Sequence, residues 1–139
     1  MRTYTATATT HLPPSRLYAT ICDIGRWPEW DTEIAWTRHE GRVEPGVRFQ
    51  LKPKDGPKVI LEITEASPPH RFVDVTHLPL ARMRTAHEFR RDGDVTTVLV
   101  TITVSGPLAF LWDRLVARKQ AEGAGSQLRA MIAFATRPA

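Results

Sequence analysis

The stretch that most constrains this chain is residues 107–136, which we interpret as one long helix near the C-terminus. Pro107 suits a first helical position, where its missing N–H costs nothing. At about 1.5 Å per residue, a helix of this length spans roughly 45 Å. Apolar residues recur in it at the three-to-four spacing of one buried face: Leu108, Leu111, Trp112, Leu115, Val116, Leu128, Met131, Ile132 and Ala135. Such a face needs a broad apolar surface to pack against.

Two glycines, Gly123 and Gly125, interrupt the middle of this helix. Each weakens a helix by about 1 kcal/mol relative to alanine. We interpret them as a kink, or as a place where the backbone approaches the short helices around Trp27 and Trp30. A straight helix with both glycines facing solvent would reduce them to ordinary weak points.

The rest of the chain mostly alternates apolar and polar residues, the pattern of half-buried strands. Strands are expected over 2–9, 34–39, 47–52, 58–63, 71–77, 82–89 and 97–104. A short helix is expected over 15–22, and a second short helix or turn over 26–31. Because the connections after the second helix are short, the strands should pair as an antiparallel meander. The sheet then has one apolar side, which the long helix must cover.

Composition limits the classes of function. The 139 residues are enough for one domain, 1–139, and too few for two. No apolar run approaches the ~20 residues of a membrane span, and the N-terminus does not read as a signal peptide. The single Cys22 cannot form an internal disulfide. These features favour a cytoplasmic setting.

The sequence predicts neither a metal nor a cofactor. The five histidines lack the short paired spacing of metal ligands, and no cysteine cluster supports them. The glycines match no nucleotide-binding fingerprint. Cys22 lacks the surroundings of a nucleophile and is expected to be a small buried residue.

The net charge of +4 makes nucleic acid a partner to consider. The basic residues are scattered and form no recognised motif, so an arginine-rich solvated surface is the preferred interpretation. A module that binds a macromolecule stays open as a third hypothesis, and it predicts binding that weakens steeply with salt. The oligomeric state is also open, a homodimer included.

The order of elements resembles that of a known superfamily, and so do the Trp27-Pro28-Glu29-Trp30-Asp31 stretch and the Ser105-Gly106-Pro107-Leu108 junction. This is the START-like superfamily, and within it the polyketide cyclase/dehydrase (SRPBCC) group. The resemblance covers essentially the whole chain. It implies an α+β helix-grip fold, in which a seven-stranded antiparallel sheet wraps around the C-terminal helix and leaves a hydrophobic cavity. Members bind lipids, sterols and polyketides, and some are cyclases or hydrolases. Since their catalytic residues vary, the resemblance implies a cavity and no particular mechanism.

The candidate lining residues combine strand phase with the predicted helix face. They are Trp30, Trp36, Phe49, Leu51, Leu61, Met83, Thr85, His87, Val100, Ile102, Leu115 and Leu128.

His87 is the one candidate for chemistry. It is in phase with Met83 and Phe89, and a histidine there can act as a general acid or base. The competing interpretation is an interior histidine that only fixes packing. The strand phase of His77 is ambiguous. Glu29 and Asp31 are expected to be capping, solvated groups.

The leading hypothesis is therefore a protein that binds a small hydrophobic molecule, lipid-, polyketide- or aromatic-like, between sheet and helix. The alternative is a polyketide cyclase or dehydratase that uses the same cavity, with His87 moving the proton.

Overall fold

A seven-stranded antiparallel sheet forms the larger part of the fold. The structure is a computed structural model that describes residues 1–138. The sheet order is β1-β7-β6-β5-β4-β3-β2. The strands β2 to β7 are thus a meander, and β1 joins its far edge by pairing with β7. The bounds are β1 (Arg2–Thr10), β2 (Ile34–Arg38), β3 (Arg48–Pro53), β4 (Val59–Ser67), β5 (Arg71–Leu78), β6 (Ala81–Asp92) and β7 (Val95–Ser105).

The helices lie before β2 and after β7. A first helix, α1 (Pro14–Cys22), is followed by a 3₁₀ segment (Ile24–Glu29). The C-terminal part comprises α2 (Ala109–Trp112), a π segment (Asp113–Ala117) and α3 (Arg118–Thr136). The predicted α+β helix-grip fold is confirmed, with two short helices after the first strand. None of the helices in the described part of the chain is long and apolar enough to span a membrane.

Burial alternates along β7, because one face of the sheet is packed against the helices and the other faces solvent there, whereas Val73 and Ala86 in the middle of the sheet are buried on the outer face as well. We call the packed side the inner face. In β7 every second side chain is buried: Thr96, Val98, Val100, Ile102 and Val104. The helix α1 contacts β5 and β6, while α3 contacts β1, β7 and α1. The core therefore lies between the inner face and these two helices.

The C-terminal helical part departs from the predicted single α-helix. Its π segment holds more residues per turn than an α-helix, so it changes which residues face the sheet. Asp113 and Ala117 are buried there, whereas Leu115 is exposed. The expectation that Leu115 lines the interior is wrong for this reason. After the π segment the predicted face is restored, and Leu128 and Met131 are fully buried.

The two glycines do not interrupt the helix. α3 runs through both Gly123 and Gly125. A Cβ at Gly123 would meet no atom within 4 Å, and one at Gly125 would lie 3.5 Å from Nη1 of Arg129. No close backbone approach requires glycine at either position, and the irregular turn lies earlier, in the π segment.

A β-bulge between Ile34 and Trp36 reverses the face of β2. Trp36 pairs with Lys52, which alternates with the inner-face residue Leu51. The indole is therefore on the outer face, where the Arg38 guanidinium lies 4.8 Å from its ring centroid. The expectation that Trp36 lines the interior beside Ile34 is wrong, because one extra residue shifts the alternation.

The turn between β5 and β6 is held against the junction between β7 and α2. The amide of Leu108 donates to the carbonyl of Leu80 at 3.0 Å, and Nε1 of Trp112 donates to the carbonyl of Pro79 at 2.8 Å. Gly106 permits this contact: its φ is +110°, and a Cβ there would lie 2.8 Å from the Leu80 carbonyl oxygen. Only glycine fits both conditions without strain.

Candidate ligand-binding site on the inner face

Most of the expected lining residues lie on or against the inner face. Phe49, Leu61, Met83, Thr85, His87, Val100 and Ile102 belong to strands and are buried. Trp30 and Leu128 are buried in the core cluster that covers this face. Leu51 is on the same face, half-buried and packed against the core. Trp36 and Leu115 are not part of the set, for the reasons given above.

Polar side chains form a cluster in the middle of this apolar face. We define the inner polar cluster as Asp74, Thr76, Thr85 and His87, all buried. Asp74 is paired with Thr85 across β5 and β6, and Thr76 is paired with Met83. Phe72 is paired with His87, so Asp74 and His87 are diagonal neighbours, with Cβ atoms about 7 Å apart in ordinary sheet geometry.

Asp74 is a residue that the sequence analysis missed. Phe72 and Val73 are both apolar, so the phase of β5 could not be chosen from hydrophobicity alone. The signal that was available is the short turn after Leu78. Counting back from it pairs Asp74 with Thr85 and so puts the carboxyl on the inner face. The same register pairs His77 with Arg82 on the outer face, where His77 Nε2 lies 3.3 Å from Oε1 of Glu62.

His87 is held in an environment that disfavours its charged form. Its Nδ1 is buried and has no hydrogen-bond partner in the described part of the chain. Burial lowers the pKa of His87 to about 4. The imidazole is therefore neutral at physiological pH, with a nitrogen free to pair with a bound molecule. A buried polar group left unpaired costs about 1–3 kcal/mol.

Burial has the opposite effect on the carboxyl of Asp74. It raises the pKa of Asp74 to about 7, because the carboxylate form loses its hydration in the buried site. Near neutral pH this carboxyl exists in both protonation states, while the nearby imidazole is neutral. A carboxyl that can donate a proton and an imidazole that can accept one are the two partners that general acid–base chemistry requires.

The inner face is nearly closed. The four residues of the inner polar cluster retain between 3% and 6% exposure, much like their apolar neighbours Leu61 at 5% and Met83 at 4%. Two open depressions of about 430 and 420 Å³ lie elsewhere, at the β5–β6 turn and around His70 and Arg71. Neither depression is lined by a residue of α3.

The 3₁₀ segment covers one part of the inner face through aromatic contacts. The ring centroid of Trp27 lies 5.4 Å from that of Phe49 and 6.3 Å from that of Phe72. Nε1 of Trp27 donates to the Ile21 carbonyl at 2.9 Å, but the buried Nε1 of Trp30 has no partner among residues 1–138. A second buried nitrogen without a partner therefore lies next to the 3₁₀ segment.

Asp31 joins this cover to α3. Its Oδ2 accepts a 2.5 Å hydrogen bond from Nε2 of Gln127, and its Oδ1 accepts one from the Glu33 amide at 3.0 Å. Asp31 is buried, which corrects the expectation of a solvated group. Glu29 does face solvent, where it pairs with Arg26 at 2.7 Å.

The row of paired residues that contains Asp74 and Thr85 runs across the sheet toward the π segment. The row crosses five strands through paired residues: Ile63, Asp74, Thr85, Ile102 and Tyr4. The Tyr4 hydroxyl donates to Oδ1 of the buried Asp113 at 2.6 Å. Arg2 and Arg118 lie 3.8 and 3.6 Å from Oδ2 of the same carboxylate. Asp113 is thus engaged by three partners, unlike the unpaired Nδ1 of His87.

Other chemistries find less support in the geometry. Within residues 1–138, no group of three or more His, Cys, Asp or Glu side chains is arranged to hold a metal ion. Burial raises the pKa of the Cys22 thiol, which works against a reactive thiolate. The inner polar cluster is the candidate site that remains.

The comparisons with solved structures agree with this fold. A protein from Thermus thermophilus, TTHA0849, is 20% identical, with a TM-score of 0.75 over 96% of this chain and 97% of that one. The Zhui aromatase/cyclase from Streptomyces sp. R1128 is 12% identical, with a TM-score of 0.75 over 98% and 94% of the two chains. Ara h 8.0201 is 16% identical, with a TM-score of 0.70 over 96% and 97%.

The sequence itself gives the family. Among curated proteins, none matches this sequence. A family profile described as "Polyketide cyclase / dehydrase and lipid transport" matches residues 1–133. That match covers nearly the whole chain and agrees with the helix-grip fold. This chain therefore belongs to the polyketide cyclase/dehydrase and lipid transport family.

Proposed function

We propose that this protein binds a small, mostly apolar molecule with at least one hydrogen-bonding group, between the inner face and α3. The observation that carries the proposal is the unpaired, buried Nδ1 of His87 beside the buried carboxyl of Asp74, whose pKa burial raises to about 7. Native interiors pair almost all such groups. A ligand hydroxyl or carbonyl placed there removes the cost of leaving them unpaired, while the surrounding apolar residues accept the rest of the molecule.

Binding requires the space between the inner face and α3 to widen, because the inner face is nearly closed. Ligands of ordinary size occupy cavities of about 300–1,000 Å³. The hydrogen bond between Asp31 and Gln127 joins the 3₁₀ segment to α3 and must adjust when the two separate. We therefore expect a ligand to perturb α3 and the 3₁₀ segment as well as the inner polar cluster.

Two matched probes test this proposal, 2-naphthol and naphthalene, which differ by one hydroxyl group. Binding to the ¹⁵N-labelled protein is followed by NMR, with near-UV circular dichroism to verify the fold. We expect 2-naphthol to bind about tenfold more tightly than naphthalene, since its hydroxyl satisfies a buried group. The amides that shift should include those of Thr85 and His87. Native mass spectrometry of the protein as purified shows separately whether an apolar molecule is retained.

The variant His87→Leu should abolish the preference for 2-naphthol, and Trp36→Leu on the outer face should keep it. Equal binding of both probes by the wild type, or shifts confined to the outer face, would contradict the proposed site. A preference that survives His87→Leu would assign the hydroxyl to another group.

The second candidate function is that of a cyclase or dehydratase, favoured by the opposed pKa shifts of Asp74 and His87. The neutral imidazole takes a proton from a carbon next to a carbonyl group. The resulting enolate carbon forms a bond to a second carbonyl carbon, and protonated Asp74 gives its proton to that carbonyl's oxygen. In the dehydration, the Asp74 carboxylate takes a second proton from the same carbon, and protonated His87 gives its proton to the departing hydroxyl. Water leaves as the carbon–carbon double bond forms, and both side chains return to their starting protonation states. Proximity in a closed interior supplies much of the rate.

A poly-β-ketone substrate mimic tests this second function. Turnover should fall about a hundredfold or more in both Asp74→Asn and His87→Gln, the usual contribution of a positioned acid or base. Unchanged turnover in either variant would remove that residue from the mechanism. Probe binding without any turnover would leave the binding function alone.

A further inference from the structure

The surface around the start of the C-terminal helical part is both apolar and basic. The large hydrophobic residues exposed here are Leu80, Phe110, Leu111 and Leu115, at 66%, 72%, 37% and 56%. Apart from Met1, they are the only large hydrophobic residues exposed in the described part of the chain. We call these four residues the apolar patch. Exposed apolar residues gathered in one place usually mark an interaction surface.

The exposed charged residues in the helical segment beside this patch are all basic. Every exposed residue in 110–119 is either apolar or basic, the basic ones being Arg114, Arg118 and Lys119. Arg82 is exposed next to Leu80 and lines the 430 Å³ depression with Gly106 and Pro107.

The nearby carboxylates leave part of this positive charge unpaired. Asp113 is buried and already engaged by Tyr4, and Asp55 pairs with Lys119 at 3.5 Å. Within residues 1–138, neither Arg82 nor Arg114 forms an ion pair. Two guanidinium groups are thus free at this surface.

The backbone of Leu80 adds an independent observation. Its φ is +54°, a left-handed conformation that a branched side chain rarely adopts. Glycine or asparagine is the usual residue at such a turn position. A strained leucine that points into solvent does nothing for the core, so its presence fits a role on the surface.

Hydrogen bonds hold the two backbone segments of the patch together. The hydrogen bonds from Leu108 to Leu80 and from Trp112 to Pro79 fix the β5–β6 turn against α2. Gly106 keeps the two backbones in contact. Side chains on a backbone that is already ordered lose less conformational freedom when they bind a partner.

We propose that this surface docks on an anionic lipid bilayer. The apolar patch enters the boundary between headgroups and acyl chains, and Arg82 and Arg114 contact the phosphates of the headgroups. This is the arrangement of peripheral proteins that lie on a membrane without spanning it. The proposal does not depend on what the inner polar cluster binds.

Sedimentation with sucrose-loaded vesicles tests the docking surface. Vesicles of pure phosphatidylcholine are compared with vesicles of equal parts phosphatidylcholine and phosphatidylglycerol. The wild type should sediment with the anionic vesicles and remain in solution with the neutral ones. Arg114→Gln should weaken binding about fivefold, the contribution of one basic residue at an anionic surface.

Leu80→Gly is the most informative variant, because it removes an apolar side chain and also relieves the strained φ. It should weaken vesicle binding several-fold while leaving the protein at least as resistant to urea as the wild type. Phe110→Ser should weaken binding about tenfold. Arg90→Gln, at the opposite end of β6, is the control and should bind like the wild type.

Three outcomes overturn the proposal. Equal binding to both kinds of vesicle would remove the role of charge. A loss in Arg90→Gln as large as that in Arg114→Gln would show diffuse attraction without a surface. Failure of the wild type to bind, together with a dimer that Phe110→Ser dissociates, would assign the patch to a second copy of this chain.

Discussion

Asp74 and His87 give the stability of this protein an unusual dependence on pH. The ordinary pKa of an aspartate is 3.8, and burial raises that of Asp74 to about 7. Between these values the folded state keeps a proton that the unfolded state has released, so stability falls as pH rises. At about 1.4 kcal/mol per pH unit, the loss over roughly three units is on the order of 4 kcal/mol.

His87 acts in the opposite direction. Its pKa falls from the ordinary 6.5 to about 4. Between these values the unfolded state holds a proton that the folded state lacks, so stability rises with pH. The gain over roughly two and a half units is on the order of 3 kcal/mol. In the wild type the two contributions therefore nearly cancel between about pH 4 and 6.5.

Single substitutions should expose each contribution. Urea unfolding is measured by circular dichroism at a series of pH values from about 4 to 8, and each variant is compared with the wild type at the same pH. The stability of Asp74→Asn relative to the wild type should increase by about 4 kcal/mol across this range. That of His87→Asn should decrease by about 3 kcal/mol. The control is Asp92→Asn, which removes one exposed carboxylate near a turn.

The reasoning is refuted if the differences for Asp74→Asn and His87→Asn stay constant with pH. Constant differences would mean that both groups titrate at ordinary values, and hence that water reaches the inner polar cluster freely. The cluster would then offer a ligand no unpaired group, so the same measurement also bears on the proposed function.

Two further pairs of substitutions test the packing of the C-terminal part, both by urea unfolding. Leu128→Ala should cost about 2–5 kcal/mol, whereas Leu115→Ala should cost less than about 0.5 kcal/mol; similar costs would contradict the change of face in the π segment. Gly106→Ala should cost about 2 kcal/mol or more, since its Cβ meets the Leu80 carbonyl at a positive φ, whereas Gly123→Ala should stabilise by about 0.5–1 kcal/mol. A destabilised Gly123→Ala would show a contact that the open space around that residue does not contain.

The fold could be predicted from the sequence because most of its strands carry a repeated signal, an alternation of apolar and polar residues. The alternation in β7, for example, needs only a period of two and one apolar face. Short turns such as Asp92-Gly93-Asp94 then leave the antiparallel meander as the simplest pairing. The long helix was predicted in the same way, since its second half keeps the three-to-four spacing over several turns.

The errors come from single residues that break a period. The bulge beside Trp36 and the π segment around Leu115 each shift the phase, and neither carries a marker such as glycine or proline at the break. Asp74 was missed for a related reason, because hydrophobicity cannot reveal a carboxyl on an apolar face. Its position follows only from strand register, which depends on hydrogen bonds between distant residues.

The π segment has a consequence for how this chain can change in evolution. It separates two groups of leucines in the C-terminal helical part. Leu111 and Leu115 contact solvent, while Leu128, after the π segment, contacts the core. Substitutions at Leu111 and Leu115 are therefore free to alter the exposed surface with little effect on the fold. Substitutions at Leu128 alter the core and leave that surface unchanged. The wider turn of the π segment thus lets selection change the proposed docking surface and the core packing at different positions of one helical part.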